Sequence, residues 1–175
     1  SEMCIRDRIA LDVELHGPAP IGRLVGRDAL DAQLHRPLAE AFGELTWEPH
    51  LFLGGTFGDA TWVDSTGVLR GTLASPFCRI PATGREAALR YGEFCRVADG
   101  EIVEIRLLFD LLQLAADTGY RLLPDFPATE GLPTPPVAGN GVRIGRSDGA
   151  ETAVTLRLVE DMLGGCNRLV DGELR

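Results

Sequence analysis

Residues 90–112 read RYGEFCRVADGEIVEIRLLFDLL. Two strand-like runs flank Asp99-Gly100, and the second ends on Asp110, set among leucines and a phenylalanine. Asp-Gly between alternating runs signals a two-residue hairpin, because a type I′ turn needs positive φ at both central positions. The turn predicts a register. Ala98 falls opposite Glu101, Val97 opposite Ile102, Cys95 opposite Glu104, Glu93 opposite Arg106, Tyr91 opposite Leu108 and Leu89 opposite Asp110. Side chains alternate along a strand, so these positions share one face. The other face carries Phe94, Val103, Ile105, Leu107 and Phe109, with Arg90 and Arg96.

The first face is too charged for a sealed core and too apolar for a solvated surface. Apolar walls with a few convergent polar groups fit a cavity. Glu93 and Arg106, placed opposite, are expected to pair. Asp110 has no partner in the hairpin, and two roles stay open for it. It can cap a helix starting at 111 by accepting backbone N–H bonds. It can also serve as a general acid or base, its pKa raised by apolar surroundings.

Working outward, ALDVELHGPAP alternates and predicts a strand over 11–16. Residues 26–45 carry Ala29, Leu30, Leu34, Leu38, Ala41 and Phe42 at helical spacing, with Gly43 as a stop. Pro37 inside that run is expected to kink or divide the helix. Strands are expected at 45–55, 59–74, 87–97 and 101–110, and a short helix over 111–119 with Gly119 at its end. This order predicts an α+β domain: one curved antiparallel sheet with a helix across it.

Ten prolines and glycines fall within 121–150, which reads as a linker. Beyond it, Val154, Leu158, Met162 and Leu163 mark an amphipathic helix over 151–164, stopped by Gly164 and Gly165. At the other end, SEMCIRDR (residues 1–8) looks like a translated sequencing adapter and is set aside from the fold, the alternative being a genuine polar N-terminal arm. On that reading the natural N-terminus is lost.

The composition excludes several functions. With 175 residues, a net charge of −9 and a pI near 4.8, the chain lacks the basic surface that nucleic acid demands, and anionic membranes are disfavoured. No apolar run approaches the roughly 20 residues that span a bilayer. Cys4, Cys78, Cys95 and Cys166 form no CxxC pair and no zinc spacing, so no metal site is expected. Reduced thiols in a cytoplasmic protein are the expectation.

HGPAPIGRLVGRDAL (16–30) and IPATGREAALRYGEFCRVADGEIVEIRLLFDLLQLAADTG (80–119) resemble the SnoaL-like polyketide cyclase and ester cyclase group of the nuclear transport factor 2-like superfamily. The resemblance covers about residues 10–124. It implies a cone-shaped α+β barrel, a strongly bent antiparallel sheet wrapped round helices with a pocket between. It implies that Asp110 matches the aspartate that family cyclases use as acid/base in an intramolecular aldol closure, with no metal or organic cofactor. His16 would lie near the pocket mouth, and Trp47, Trp62, Tyr91, Glu93, Arg106 and Leu108 would line it, the two tryptophans being open to a core role instead. Three departures stand out. The N-terminal helices that usually close the cone are missing, Arg79 replaces a common glycine, and no histidine occurs after His50. The 151–175 tail resembles the opening helix of a second such domain; alternatively, that helix covers the place of the missing ones.

Two functions are therefore expected from different classes. One is a cofactor-independent cyclase, isomerase or hydrolase acting on a small hydrophobic molecule through Asp110. The other is a non-catalytic binding or dimerisation module. In either case a homodimer through the outer sheet face is expected.

Overall fold

The structure, a computed structural model, describes residues 8–120 and 148–166 together with two short strands near the C-terminus. The chain divides into two compact units, residues 1–137 and 138–175. The expected linker lies largely outside the described residues, as do residues 1–7.

The first unit opens with β1 (Ile9–His16) and β2 (Arg23–Val25). A helical stretch follows: α1 (Arg27–Leu30), a π-helical segment (Asp31–His35) and α2 (Arg36–Ala41). Then come β3 (Phe42–Phe57), β4 (Ala60–Leu73), β5 (Glu86–Ala98), β6 (Glu101–Phe109) and α3 (Leu111–Asp117). The six strands form one curved sheet that does not close, in the order β2-β1-β6-β5-β4-β3. The α+β class expected from the sequence holds. All pairs are antiparallel except β1 with β6, where the chain returns to its first strand after a long crossover.

Pro37 sits in the first turn of α2, and the helix widens to π geometry just before it. A proline lacks the N–H and crowds the preceding turn, and the wider coil relieves both. The helix stops at Ala41, so Gly43 belongs to β3. Glu44, at φ 55°, lies in a bulge between Gly43 and Thr46 that the sequence reads as a helix end. The three-residue β2 was also not expected; it is too short to show a period.

The core lies between the concave sheet face and the helices. Leu30 and Leu34 pack on Val13, Leu15, Ile105 and Leu107. Ala41, Phe42, Leu73, Phe77, Leu89 and Leu114 form the second cluster, and partly buried Phe109 packs against both. Full burial of leucines and phenylalanines of this kind contributes roughly 2 kcal/mol each. Two glycines of β4 let β3 bend closely over it. A Cβ at Gly67 would stand 2.2 Å from the Glu48 carbonyl oxygen, and one at Gly71 would stand 2.8 Å from that of Gly43.

The hairpin turn forms as expected, with φ of 52° at Asp99 and 80° at Gly100. Ala98 pairs with Glu101 and Val97 with Ile102. The expected register then fails. A bulge places Arg96 opposite Glu104, Cys95 opposite Ile105, Phe94 opposite Arg106, Glu93 opposite Leu107 and Tyr91 opposite Phe109. One extra residue in β6 moves every later side chain of that strand to the other face.

In the second unit, α4 (Gly149–Cys166) is followed by β7 (Leu169–Val170) paired antiparallel with β8 (Glu173–Leu174). Asp148 starts the helix: its carboxylate accepts from the Ala150 N–H at 2.9 Å.

Candidate functional site on the concave face

The bulge re-sorts the residues expected to line one pocket. Inward along β5 run Leu89, Tyr91, Glu93 and Cys95, facing Ile105, Leu107 and Phe109 of β6. On the other side of β5, Leu69 faces Leu89, Gly67 faces Tyr91 and Ser65 faces Glu93, and Trp47 of β3 faces Leu69. Trp47, Ser65, Tyr91 and Glu93 therefore share the concave face.

His16, Trp62, Arg106 and Leu108 do not. His16 pairs in register with Arg106, Trp62 with Arg96 and Leu108 with Gly92, all on the outer face. The expected Glu93–Arg106 pair is absent. Arg106 bonds Glu104 at 2.9 Å instead, and Arg96 bonds the same carboxylate at 3.0 Å. These hydrogen bonds, the one from Arg96 foremost, hold Glu104 below the usual carboxylate range. His16 lies 2.8 Å from Glu14, which also accepts from Arg23 at 2.6 Å. The outer face is thus a band of ion pairs interrupted by exposed Phe94 and Leu108. Ile105, Leu107 and Phe109, expected on an outward dimer surface with Phe94, turn inward.

Asp110 begins on the side of Arg90. Both Nε and Nη2 of Arg90 donate to Asp110 Oδ2, the first at 3.0 Å. Asp110 Oδ1 accepts from the backbone N–H of Gln113 at 2.9 Å, which caps α3. The carboxylate is about a quarter exposed. Both oxygens are engaged, and neither Glu93 nor Arg106 is among its partners.

The concave face carries a different polar cluster. Ser65 is the one buried polar side chain among the described residues. Its Oγ lies 2.9 Å from the Tyr91 hydroxyl, which also accepts from the indole N–H of Trp47. The rings of Trp47 and Tyr91 meet edge to face at 5.8 Å. The missing side chain of Gly67 makes room for the Tyr91 ring, whose edge would stand 2.9 Å from a Cβ there. Beside this cluster stands Glu93, half-buried, with no ion-pair partner among the described residues. Burial, and then the nearby Asp64 carboxylate, push its pKa above the ordinary range. Asp64 is itself raised by burial, between Leu53 and Phe94 on neighbouring strands, and its Oδ1 is buried without a hydrogen bond. Burial, then Glu93, push the Cys95 thiol up to about 12, so it is no nucleophile at neutral pH.

Sequence reasoning missed Ser65 and Asp64. The signal was present for the first. Val63, Ser65, Gly67 and Leu69 alternate as inward positions of β4, and a serine in that series is a polar group at a core position.

A sheet curved in this way around helices is the nuclear transport factor 2-like fold. Solved structures share it. IdmH, a candidate polyketide cyclase from Streptomyces antibioticus, is 24% identical with a TM-score of 0.53, over 68% of this chain and 87% of its own. A candidate SnoaL-like polyketide cyclase from Jannaschia sp. CCS1 is 23% identical with a TM-score of 0.52, over 68% and 77%. A candidate polyketide cyclase from Xanthomonas campestris pv. campestris is 22% identical with a TM-score of 0.51, over 66% and 83%. The profile of the SnoaL-like polyketide cyclases matches residues 3–118. The chain belongs to the SnoaL-like polyketide cyclase family. No curated protein matches it. Among the described residues, no helix is long and apolar enough to cross a membrane.

Proposed function

We propose that the first unit binds a small hydrophobic molecule on its concave face and carries out cofactor-independent proton-transfer chemistry of cyclase, isomerase or hydrolase type. The observation that carries this reading is the site itself. Next to the core, at half-exposed Trp47 and half-buried Glu93, the concave face holds one tight polar cluster and one desolvated carboxyl group without an ion-pair partner, a composition that fits a ligand site. Asp110 is the acid/base that the family nominates. Arg90 and the Gln113 N–H fix its orientation, and one lone pair remains on Oδ1 to take a proton.

Deuterium uptake by 2-tetralone in D₂O, followed by NMR, tests the reading without knowledge of the natural substrate. The wild-type chain is expected to accelerate exchange α to the carbonyl, and Asp110→Asn to lower that acceleration by about 10²-fold or more. Equal acceleration by the variant rejects the acid/base role.

One observation favours a second reading, a non-catalytic binding module. Asp110 is already committed to a helix cap and an ion pair, which is a complete structural role. Retained ligand binding with no exchange in the wild type would select it. In both readings a homodimer forms through the outer face at Phe94 and Leu108; Leu108→Glu is expected to give a monomer in sedimentation, and an unchanged mass rejects that interface.

A further inference from the structure

The open sheet has two edges, and the chain treats them differently. The β2 edge strand is only three residues long. Beyond it, the Val13 carbonyl accepts from the Gly26 N–H at 2.8 Å, and the Ile9 carbonyl accepts from the Arg27 side chain. That edge is closed. The β3 edge is protected along its first half. Register shifts interrupt it between Gly43 and Thr46 and between Pro49 and Leu51. Pro49 lacks an N–H, and Glu44 and Glu48 add charge. Short edge strands, bulges, prolines and charges are the devices that keep a sheet from pairing with another chain.

None of them protects the second half of β3. Residues 51–57, LFLGGTF, pair with β4 without a register shift and contain no proline and no charge. Among the described residues, no strand lies on their other side. Phe52 is 71% exposed and Phe57 66%, and exposed Leu53 lies on the opposite face from Phe52. An apolar strand with an unpaired row of N–H and C=O groups is a template for one more strand.

The segment's own sequence names that strand. A two-fold axis through Gly54 sets Leu51 opposite Phe57 of a second copy, Phe52 opposite Thr56, Leu53 opposite Gly55 and Gly54 opposite itself. Opposed residues differ by an even number of places. Like faces therefore meet, and so do the backbone groups that point outward. Bulky side chains fall beside small ones. A Cβ at Gly55 would meet nothing within 4 Å, which leaves room for Leu53 of the copy. Two chains of net charge −9 repel, and this uncharged strand is a place where they can approach.

We propose that residues 51–57 pair antiparallel with the same residues of a second copy about a two-fold at Gly54, joining two sheets edge to edge. The contact is separate from the outer-face interface at Phe94 and Leu108 and does not depend on it. One short strand pair is a small interface, so the association is weak and fills at high concentration.

The test uses the full chain carrying Leu108→Glu, which removes the outer-face contact, in sedimentation under reducing conditions. A monomer is expected at about 5 µM, with the mass doubling toward about 500 µM, the range of a weak interface. Adding Gly54→Lys, or separately Gly54→Glu, sets like charges directly opposite at the axis, and either variant is expected to stay monomeric at about 500 µM. A Cβ at this position stands 3.9 Å from its nearest neighbour, the Trp62 carbonyl oxygen, so both substitutions fit the fold. Mixing the two variants sets opposite charges together, and the doubled mass is expected to return. Its return also shows that both variants fold. A monomer at every concentration before any change at Gly54 overturns the proposal. Doubling that persists in Gly54→Lys, or a mixture that stays monomeric, overturns it as well. A Leu108→Glu chain already dimeric at the low concentration rejects the outer-face interface instead, and loss of that dimer in Gly54→Lys then supports the edge contact.

Discussion

Asp110 and Arg90 are locked together at the end of the central hairpin. Two guanidinium nitrogens reach one carboxylate oxygen, and the Asp110 backbone N–H donates to the Arg90 carbonyl at 3.0 Å. The remaining carboxylate oxygen caps α3. The pair thus joins β5, β6 and the helix that covers Leu89 and Tyr91.

These two roles separate by substitution. Asp110→Asn keeps a capping oxygen and loses only a partly exposed ion pair, so a loss of about 1 kcal/mol or less is expected. Asp110→Ala loses the cap as well and should cost about 1–2 kcal/mol more. Urea denaturation of both variants checks the order. Equal losses would show that the cap contributes nothing.

Glu93 gives a pH signature. Its pKa in the fold is raised above the ordinary value of 4.5, by burial and then by Asp64. A raised group contributes stability that is fully present below the unfolded pKa and is lost as pH rises through the folded pKa. Glu93→Gln, neutral at every pH, should therefore match the wild type near about pH 4 and exceed it in Tm at about pH 8. A variant less stable at the higher pH would mean that the Glu93 carboxylate has a partner in the fold.

The turn joining Phe77 to Ile80 holds Cys78 at φ 48° and Arg79 at φ 69°. A side chain in this region costs about 1–2 kcal/mol, part of which glycine's greater unfolded freedom offsets. Arg79→Gly is expected to raise stability by about 0.5–1 kcal/mol, measured by thermal melting. A drop in Tm would show that the Arg79 side chain makes a stabilising contact.

Gly67→Ala should be severe, because the new methyl would meet the Glu48 carbonyl at 2.2 Å and the Tyr91 ring at 2.9 Å. A loss of about 3 kcal/mol is expected. Gly92→Ala is the control, since its nearest neighbour is a Thr66 methyl at 3.7 Å. If both variants melt alike, close approach of β3 to β4 does not determine the bend.

Much of the fold was legible because it rests on local chemistry. Asp99-Gly100 dictates a turn, and Leu30, Leu34 and Ala41 dictate a buried helix stripe. The face assignment failed for a physical reason. A bulge adds one residue without a composition of its own, yet it inverts every pairing beyond it. One clue was available: Leu89, Tyr91 and Cys95 are apolar on β5, and Ile105, Leu107 and Phe109 on β6, and only the shifted register puts both sets on one face. The mixed face that first suggested a cavity was a product of the unshifted register. Tyr91, Glu93 and Trp47 remained in the candidate site, while Arg106, Leu108, His16 and Trp62 left it. Parallel pairing of β1 with β6 was illegible because it joins the two ends of the domain.

The central claim is that the ligand sits on the concave face. Isotope-filtered NOE spectra of labelled protein with 2-acetylnaphthalene test it most directly. Contacts from the naphthalene ring to Trp47 and Tyr91 are the predicted result. Contacts to Trp62, Phe94 and Leu108 instead would place the ligand on the outer face and contradict the account.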